Sequence, residues 1–169
     1  MSQGVKIRPF QGNDSDKVKE FILDIIVNEF KFKLEFDTLD SDILAIDKIY
    51  NRVNRGRMWI AETRVVDFKS ELQLQKIVGT TAVRNLYQFA STCELKRMYV
   101  STDFRRLGVG QKLLDRAIDF AINNGYSRMV LDSSRTLYAA RTLYLKNGFL
   151  DIARYNNNYR ADVFMEKML

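Results

Sequence analysis

Arg105, Gly108 and Gly110 stand in the spacing R-x-x-G-x-G, between an apolar run that ends at Val100 and an amphipathic run that follows. Glycines at such a junction let the backbone turn tightly and let an anion approach unshielded N–H groups. The first turn of a helix adds four unpaired donors and the positive end of the macrodipole. Phosphate binding is therefore the chemistry this stretch suits. Two familiar versions of it are absent: a dinucleotide fingerprint needs a third glycine where Leu113 stands, and a P-loop needs G-K-[S/T]. A loop whose glycines serve only the turn is the other reading of these residues.

The elements that flank the loop follow from periodicity. Leu95, Met98, Tyr99 and Val100 predict a buried strand over residues 93–100. Leu113, Leu114, Ala117, Ile118, Ala121 and Ile122 share one helical face, and Asn123, Asn124 and Gly125 stop that helix. Upstream, residues 5–10 read as a strand that Pro9 ends or confines to an edge. Capping residues among Asn13, Asp14, Ser15 and Asp16 open a helix to about Val27, with Val18, Phe21, Ile22, Ile25 and Ile26 inward. An irregular aromatic stretch follows to residue 40. A second helix over 41–50, capped by Asp40 or Ser41, carries Ile43, Leu44, Ile46 and Ile49. Strands are predicted at 58–66 and 72–86, joined by a polar turn at 67–71, with Gly79 at a possible bulge. Beyond the loop helix come a strand at 128–132, a helix at 136–146 stopped by Asn147 and Gly148, and strands at 149–155 and 161–168. The order β-α-α-β-β-β-α-β-α-β-β describes one α/β domain, residues 1–169, with a mixed sheet and helices packed on it.

Composition narrows the function. With 169 residues, 46% of them apolar, the chain can bury a substantial core. No apolar run is long enough to span a bilayer, and no signal sequence is read at the N-terminus. A single cysteine, Cys93, fits a reducing compartment, and a cytoplasmic location is expected. Histidine is absent, which excludes a histidine triad and, with one cysteine, a Cys/His zinc site; no metal is expected. Residues 28–47 hold Glu29, Glu35, Asp37, Asp40, Asp42 and Asp47 against Lys31 and Lys33. Residues 96–116 hold Lys96, Arg97, Arg105, Arg106, Lys112 and Arg116 against Asp103 and Asp115. A basic segment around the loop suits a polyanionic ligand. No basic run interleaved with stacking aromatics supports nucleic-acid binding.

The strand, the RRLGVG loop and the helix together resemble the acyl-CoA-binding motif of the GNAT family of N-acetyltransferases. A second block, A-A-R-T-L-Y-L-K-N-G-F from Ala139 to Phe149, resembles that family's A-x-x-L-Y-x-x-x-G-F segment, in the family's order and separation. The likeness runs from about Trp59 to the C-terminus, and residues 1–50 share it only in outline. It implies a mostly antiparallel mixed sheet whose two central parallel strands splay apart, with acetyl-CoA between them as co-substrate. The splay is then expected at a bulge near Met98, Tyr99 and Val100, whose backbone would pair with the pantetheine amides. Arg105, Arg106, Leu107, Gly108, Val109, Gly110 and Gln111 would hold the pyrophosphate through their N–H groups, with the two arginines adding charge.

In the same resemblance Tyr144 occupies the position whose hydroxyl lies near the thioester sulfur, which implies a general acid; an aromatic in the core is the alternative. Glu94 matches a carboxylate that accepts the amine's proton in some members; a strand-end acid paired with Lys96 or Arg97 is the alternative. The family's asparagine seven residues before the tyrosine is replaced here by Leu137. The activity implied is N-acetyl transfer to a primary amine, of a small molecule or peptide, by direct attack in a ternary complex. A non-catalytic acyl-CoA-binding sensor is the rival. The partners expected are the amine substrate, with no nucleic acid and no membrane, in a monomer or homodimer.

Overall fold

The computed structural model describes residues 4–66 and 73–169. Its strands are β1 (Lys6–Pro9), β2 (Arg57–Val66), β3 (Gln73–Asn85), β4 (Thr92–Val100), β5 (Arg128–Ser133), β6 (Leu150–Asp151) and β7 (Val163–Met168). They form one sheet in the order β1-β2-β3-β4-β5-β7-β6. Every neighbouring pair is antiparallel except β4 with β5. Helices α1 (Ser15–Asp24) and α2 (Ile46–Ile49) cover one face; α3 (Val109–Asn123) and α4 (Tyr138–Lys146) cover the other. The predicted element order holds throughout. The turn predicted at 67–71 lies outside the described residues.

Strand alternation divides the core in two. Met58 and Ile60 of β2 and Ala82 of β3 join Val18, Ile22, Ile26, Ile43 and Ile46 beneath α1 and α2. Trp59 and Ala61 of β2, Leu95 of β4 and Met129 and Leu131 of β5 meet Leu113, Leu114, Ala117 and Ala121 of α3 on the opposite face. Ile122, predicted inward, is half exposed, because it falls outside the stripe that Ala117 and Ala121 define near the helix end. The bulge expected at Gly79 is one residue earlier: Ala61 pairs Gly79 and Glu62 pairs Ile77, so Val78 is the extra residue.

Three elements depart from their predicted form, and each departure moves a polar side chain. The first helix ends at Asp24 and widens into a π-helical turn over Ile25–Glu29, closed by Phe30 N–H to Ile25 O at 2.9 Å. The second predicted helix is a 3-10 turn over Ser41–Ala45 followed by the short α2. Asp40 does not cap it. Its carboxylate instead accepts from Glu35 N–H at 2.9 Å and from Arg97 and Arg160 at 3.3 and 3.0 Å. The strand predicted at 149–155 shrinks to β6, because the chain after Ile152 leaves the sheet to place Tyr155 and Asn156 against Glu94.

Candidate active site

β4 and β5 pair only at Thr92 with Arg128, Cys93 with Met129 and Glu94 with Val130, and then part. Their divergence coincides with a bulge. Thr80 pairs Tyr99 while Ala82 pairs Lys96, so Arg97 and Met98 together oppose Thr81. Arg97 takes a left-handed conformation there, φ 50°, and its carbonyl accepts the Thr80 hydroxyl at 2.8 Å. The bulge thus begins one residue before the predicted position. Ser101 N–H reaches Val78 O at 2.9 Å and Tyr99 stands opposite Thr80, so Tyr99 spends its backbone on β3. Alternation turns the N–H and C=O of Met98 and Val100 toward the gap. Two of the three expected backbone positions therefore face the splay, and Tyr99 does not.

The loop that follows is rich in free donors. None of the N–H groups of Arg106, Leu107, Gly108, Val109, Gly110 and Gln111 has an acceptor among the described residues; the helix ladder begins with Lys112 N–H to Gly108 O at 3.1 Å. Arg106 (φ 61°) and Gly108 (φ 77°) are left-handed, which curls the backbone ahead of the positive end of α3. Gly110 lies where loop, β4 and α4 meet. A Cβ on it would stand 3.5 Å from Leu143, 3.8 Å from Val100 and 3.9 Å from Met98. This arrangement fits a pyrophosphate at the loop and an amide-bearing arm along the open edge of β4. Gly108→Ala is expected to cost about 1–2 kcal/mol through its left-handed φ, seen as a lower urea midpoint.

The arginine side chains divide. Arg105 donates to Glu29 at 2.5 and 2.7 Å and to Val100 O at 2.9 Å, so its charge is committed to the π-turn and the strand end. Arg106 is exposed, with no acid partner among the described residues. Gln111 exchanges amide hydrogen bonds with Asn147 at 2.8 and 3.0 Å, fixing α3 against the end of α4. The acidic and basic segments of the sequence neutralise each other in part, through Glu29 with Arg105 and through Asp40 and Asp42 with Arg97. The loop's unpaired donors are therefore chiefly backbone N–H groups.

Tyr144 projects from α4 into the core cluster of the α3 face, its ring 5.8 Å from that of Phe149. Burial, with the charges of Tyr99 and Asp132, holds its hydroxyl well above the usual phenol range, so it stays protonated at neutral pH. No described residue hydrogen-bonds that hydroxyl, although the residue is only 6% exposed. Leu137 sits half-buried just before α4 and offers no side-chain amide.

Glu94 is fully buried on the opposite face. Arg84 donates to its Oε2 through Nε and approaches through Nη2, both at 2.6 Å; Tyr155 and Asn156 donate to Oε1 at 2.8 and 3.4 Å. All four acceptor positions of the carboxylate are engaged. Its partner is Arg84, not Lys96 or Arg97. Cys93 is also buried, and burial pushes its thiol up to about 12, far from a reactive thiolate.

The residues that sequence reasoning missed form one polar network on this face, buried at Asp40, Asp42, Tyr50 and Arg97. Arg97 donates to Asp42 from Nε at 2.9 Å and from Nη2, and to Asp40 and the Leu39 carbonyl. The Tyr50 hydroxyl donates to Asp42. Arg160, from the loop between β6 and β7, reaches Asp40 at 3.0 Å, and Tyr159 donates to Glu35. Burial alone pushes the Asp42 carboxyl up, but the hydrogen bonds and charge of Arg97, with Tyr50, bring it down to about 2. A depressed folded-state value stabilises above the unfolded one, near 4, and that stability is lost as pH falls through the folded value. Urea midpoints are therefore expected to fall between about pH 4 and pH 2, with a shallower fall in Asp42→Asn.

Known proteins share this fold. The acetyltransferase (GNAT) family model matches residues 22–149. The chain belongs to the GNAT family. The match reaches back to Ile22, beyond the Trp59 boundary read from the sequence. A GNAT-family acetyltransferase structure from Staphylococcus aureus superposes with a TM-score of 0.81 at 26% identity, covering 98% of this chain and 99% of that one. A Thermoplasma acidophilum N-acetyltransferase in complex with coenzyme A shares the fold, with a TM-score of 0.67 at 18% identity, covering 99% and 100%. Among curated relatives, N-acetyltransferase family 8 member 3 of Rattus norvegicus is 31% identical over 66% of this chain and 46% of its own length. The chain spans 31–46% of the length of the first curated relatives it matches. Acetyl-CoA is the acetyl donor that this family uses.

Proposed function

We propose that this GNAT domain is an N-acetyltransferase that moves an acetyl group from acetyl-CoA to a primary amine, on a small molecule or peptide, by direct attack in a ternary complex. One observation carries the reading: six consecutive N–H groups without an acceptor among the described residues lead into α3 beside the strand edge parted by the splay. In this reading acetyl-CoA, the co-substrate, supplies an activated thioester. Backbone N–H groups from Arg106 to Gln111 hold its pyrophosphate, Arg106 adds charge, and Met98 and the N–H of Val100 offer hydrogen bonds along the gap, the Val100 carbonyl being held by Arg105. Arg105 serves by fixing the strand end. The complex of the Thermoplasma acidophilum protein with coenzyme A supports this use of the shared fold.

Tyr144 is the general acid of the proposed reaction. As the new C–N bond forms and the C–S bond breaks, a phenol at the sulfur stabilises the departing thiolate and gives it a proton. A hydroxyl that is protonated and free of other partners is available for that task. Glu94 contributes differently from the expectation. With every acceptor position occupied it is best assigned to holding Tyr155 and Asn156 against the sheet, and the amine's proton goes elsewhere. Among the described residues no helix is long and apolar enough to cross a membrane.

Calorimetric titration with acetyl-CoA, followed by thiol release across an amine panel, tests the reading. Binding with amine-dependent release is expected. Binding without release across polyamines, amino acids, aminoglycosides and peptides would favour the sensor, and no binding would sink the co-substrate assignment.

A further inference from the structure

Lys96 and Asp132 each lie two residues beyond the last β4–β5 pair, Glu94 with Val130, on the two strands that have just parted. They face each other across the mouth of the gap with Nζ 4.0 Å from Oδ1, and their side chains are only 14% and 9% exposed. Neither is satisfied. The Lys96 ammonium makes no hydrogen bond among the described residues, although it carries three donors. Asp132 accepts from Asn156 at 2.6 Å through Oδ2, while Oδ1 has only the distant ammonium.

A simple cationic amine fits this pair badly. Its ammonium would dock on Asp132, draw that carboxylate away from Lys96 and leave two cations side by side in a poorly hydrated gap. Among the described residues, the acids nearest in the fold already have partners. Glu94 is saturated by Arg84, Tyr155 and Asn156; Asp42 is held by Arg97 and Tyr50; Asp40 is held by Arg97 and Arg160. An acceptor that brings its own carboxylate removes the conflict. Its ammonium takes Asp132 Oδ1, its carboxylate takes Lys96 Nζ, and every charge keeps an opposite neighbour.

We propose that the acceptor is a zwitterion, an α-amino acid or close analogue, held between Lys96 and Asp132. This rests on the acetyl-transfer reading above. Asp132 receives one proton from the ammonium, and the neutral nitrogen then attacks the thioester carbonyl. Lys96 fixes the carboxylate and so sets which amine is accepted.

The test compares amino acids with the amines obtained by removing their carboxylate, glycine against methylamine and alanine against ethylamine, with peptides and polyamines in the same panel. The expected result is a kcat/KM for the amino acid at least tenfold above its partner. Lys96→Gln should collapse that ratio through KM, and Lys96→Arg should restore it. Calorimetric acetyl-CoA binding by each variant shows that the fold persists. Equal or better turnover of carboxylate-free amines by the wild type would overturn the proposal while leaving acetyl transfer intact. An equal loss on both members of each pair in Lys96→Gln would overturn it as well. If no amine releases thiol and no amino acid shifts the amide spectrum of the coenzyme A complex, the zwitterion site and the acetyl-transfer reading fall together.

Discussion

Tyr144→Phe is expected to lower kcat by roughly 10²–10⁴-fold, the usual range for loss of a positioned acid, while acetyl-CoA still binds. The substitution removes one hydroxyl and keeps the ring that packs against Phe149. Because that hydroxyl has no partner within the described chain, deleting it leaves no hydrogen-bond partner orphaned, and stability should change little. A structural tyrosine would behave in the opposite way, with altered stability and unaltered turnover. Calorimetry, urea denaturation and single-turnover kinetics on one preparation separate the two. Because the hydroxyl sits above the ordinary phenol range, the fall in kcat on the alkaline side, as this acid loses its proton, should not appear below about pH 10.

Arg97→Met should be the most destabilising single change, costing about 3–5 kcal/mol, because removing one partner of a buried ion network leaves the others uncompensated. Asp40 and Asp42 are 1% and 2% exposed, and each loses its contact to the same guanidinium. The effect reaches the splay, since Arg97 is itself the left-handed residue of the bulge that turns Met98 and Val100 toward the gap. A weaker hold on acetyl-CoA should accompany the lower urea midpoint. Adding Asp42→Asn to Arg97→Met should recover part of the lost stability, because the buried charge then disappears with its partner. Arg97→Lys should recover less than a charge count suggests, because an ammonium cannot reproduce the fork that meets Asp42.

Much of this architecture was legible in the sequence because it rests on periodicity and turn chemistry. The face of α3 apart from Ile122, the stop at Asn147 and Gly148 and the strand from Met58 each follow from local residue order, and each is found. The donor-rich loop was legible for the same reason, since glycine spacing and a helix start are local features. What escaped were partnerships across distance. Asp40 read as a helix cap, yet it is held by residues 57 and 120 positions away. Glu94 read as a proton acceptor or as an acid paired with Lys96 or Arg97, yet Arg84, Tyr155 and Asn156 hold it, and Tyr155 comes from a stretch that pattern alone made a strand. Arg97 carries no sequence sign of a left-handed backbone, because its conformation is imposed by the guanidinium's buried partners and by the register of β3. Charge pairing across the chain is likewise invisible in residue order. The acids of residues 28–47 are in part consumed by arginines, and the unsatisfied pair at the gap is Lys96 with Asp132.

The central claim is that the splay and the donor loop together bind acetyl-CoA through backbone. Amide chemical-shift mapping of the ¹⁵N-labelled protein during titration with coenzyme A addresses it directly. The account predicts the largest shifts at the amides of Met98 and Val100 and from Arg106 to Gln111, with little change at Tyr99, whose N–H is spent on β3. Shifts concentrated elsewhere, with the amides of residues 106–111 unmoved at saturation, would contradict it.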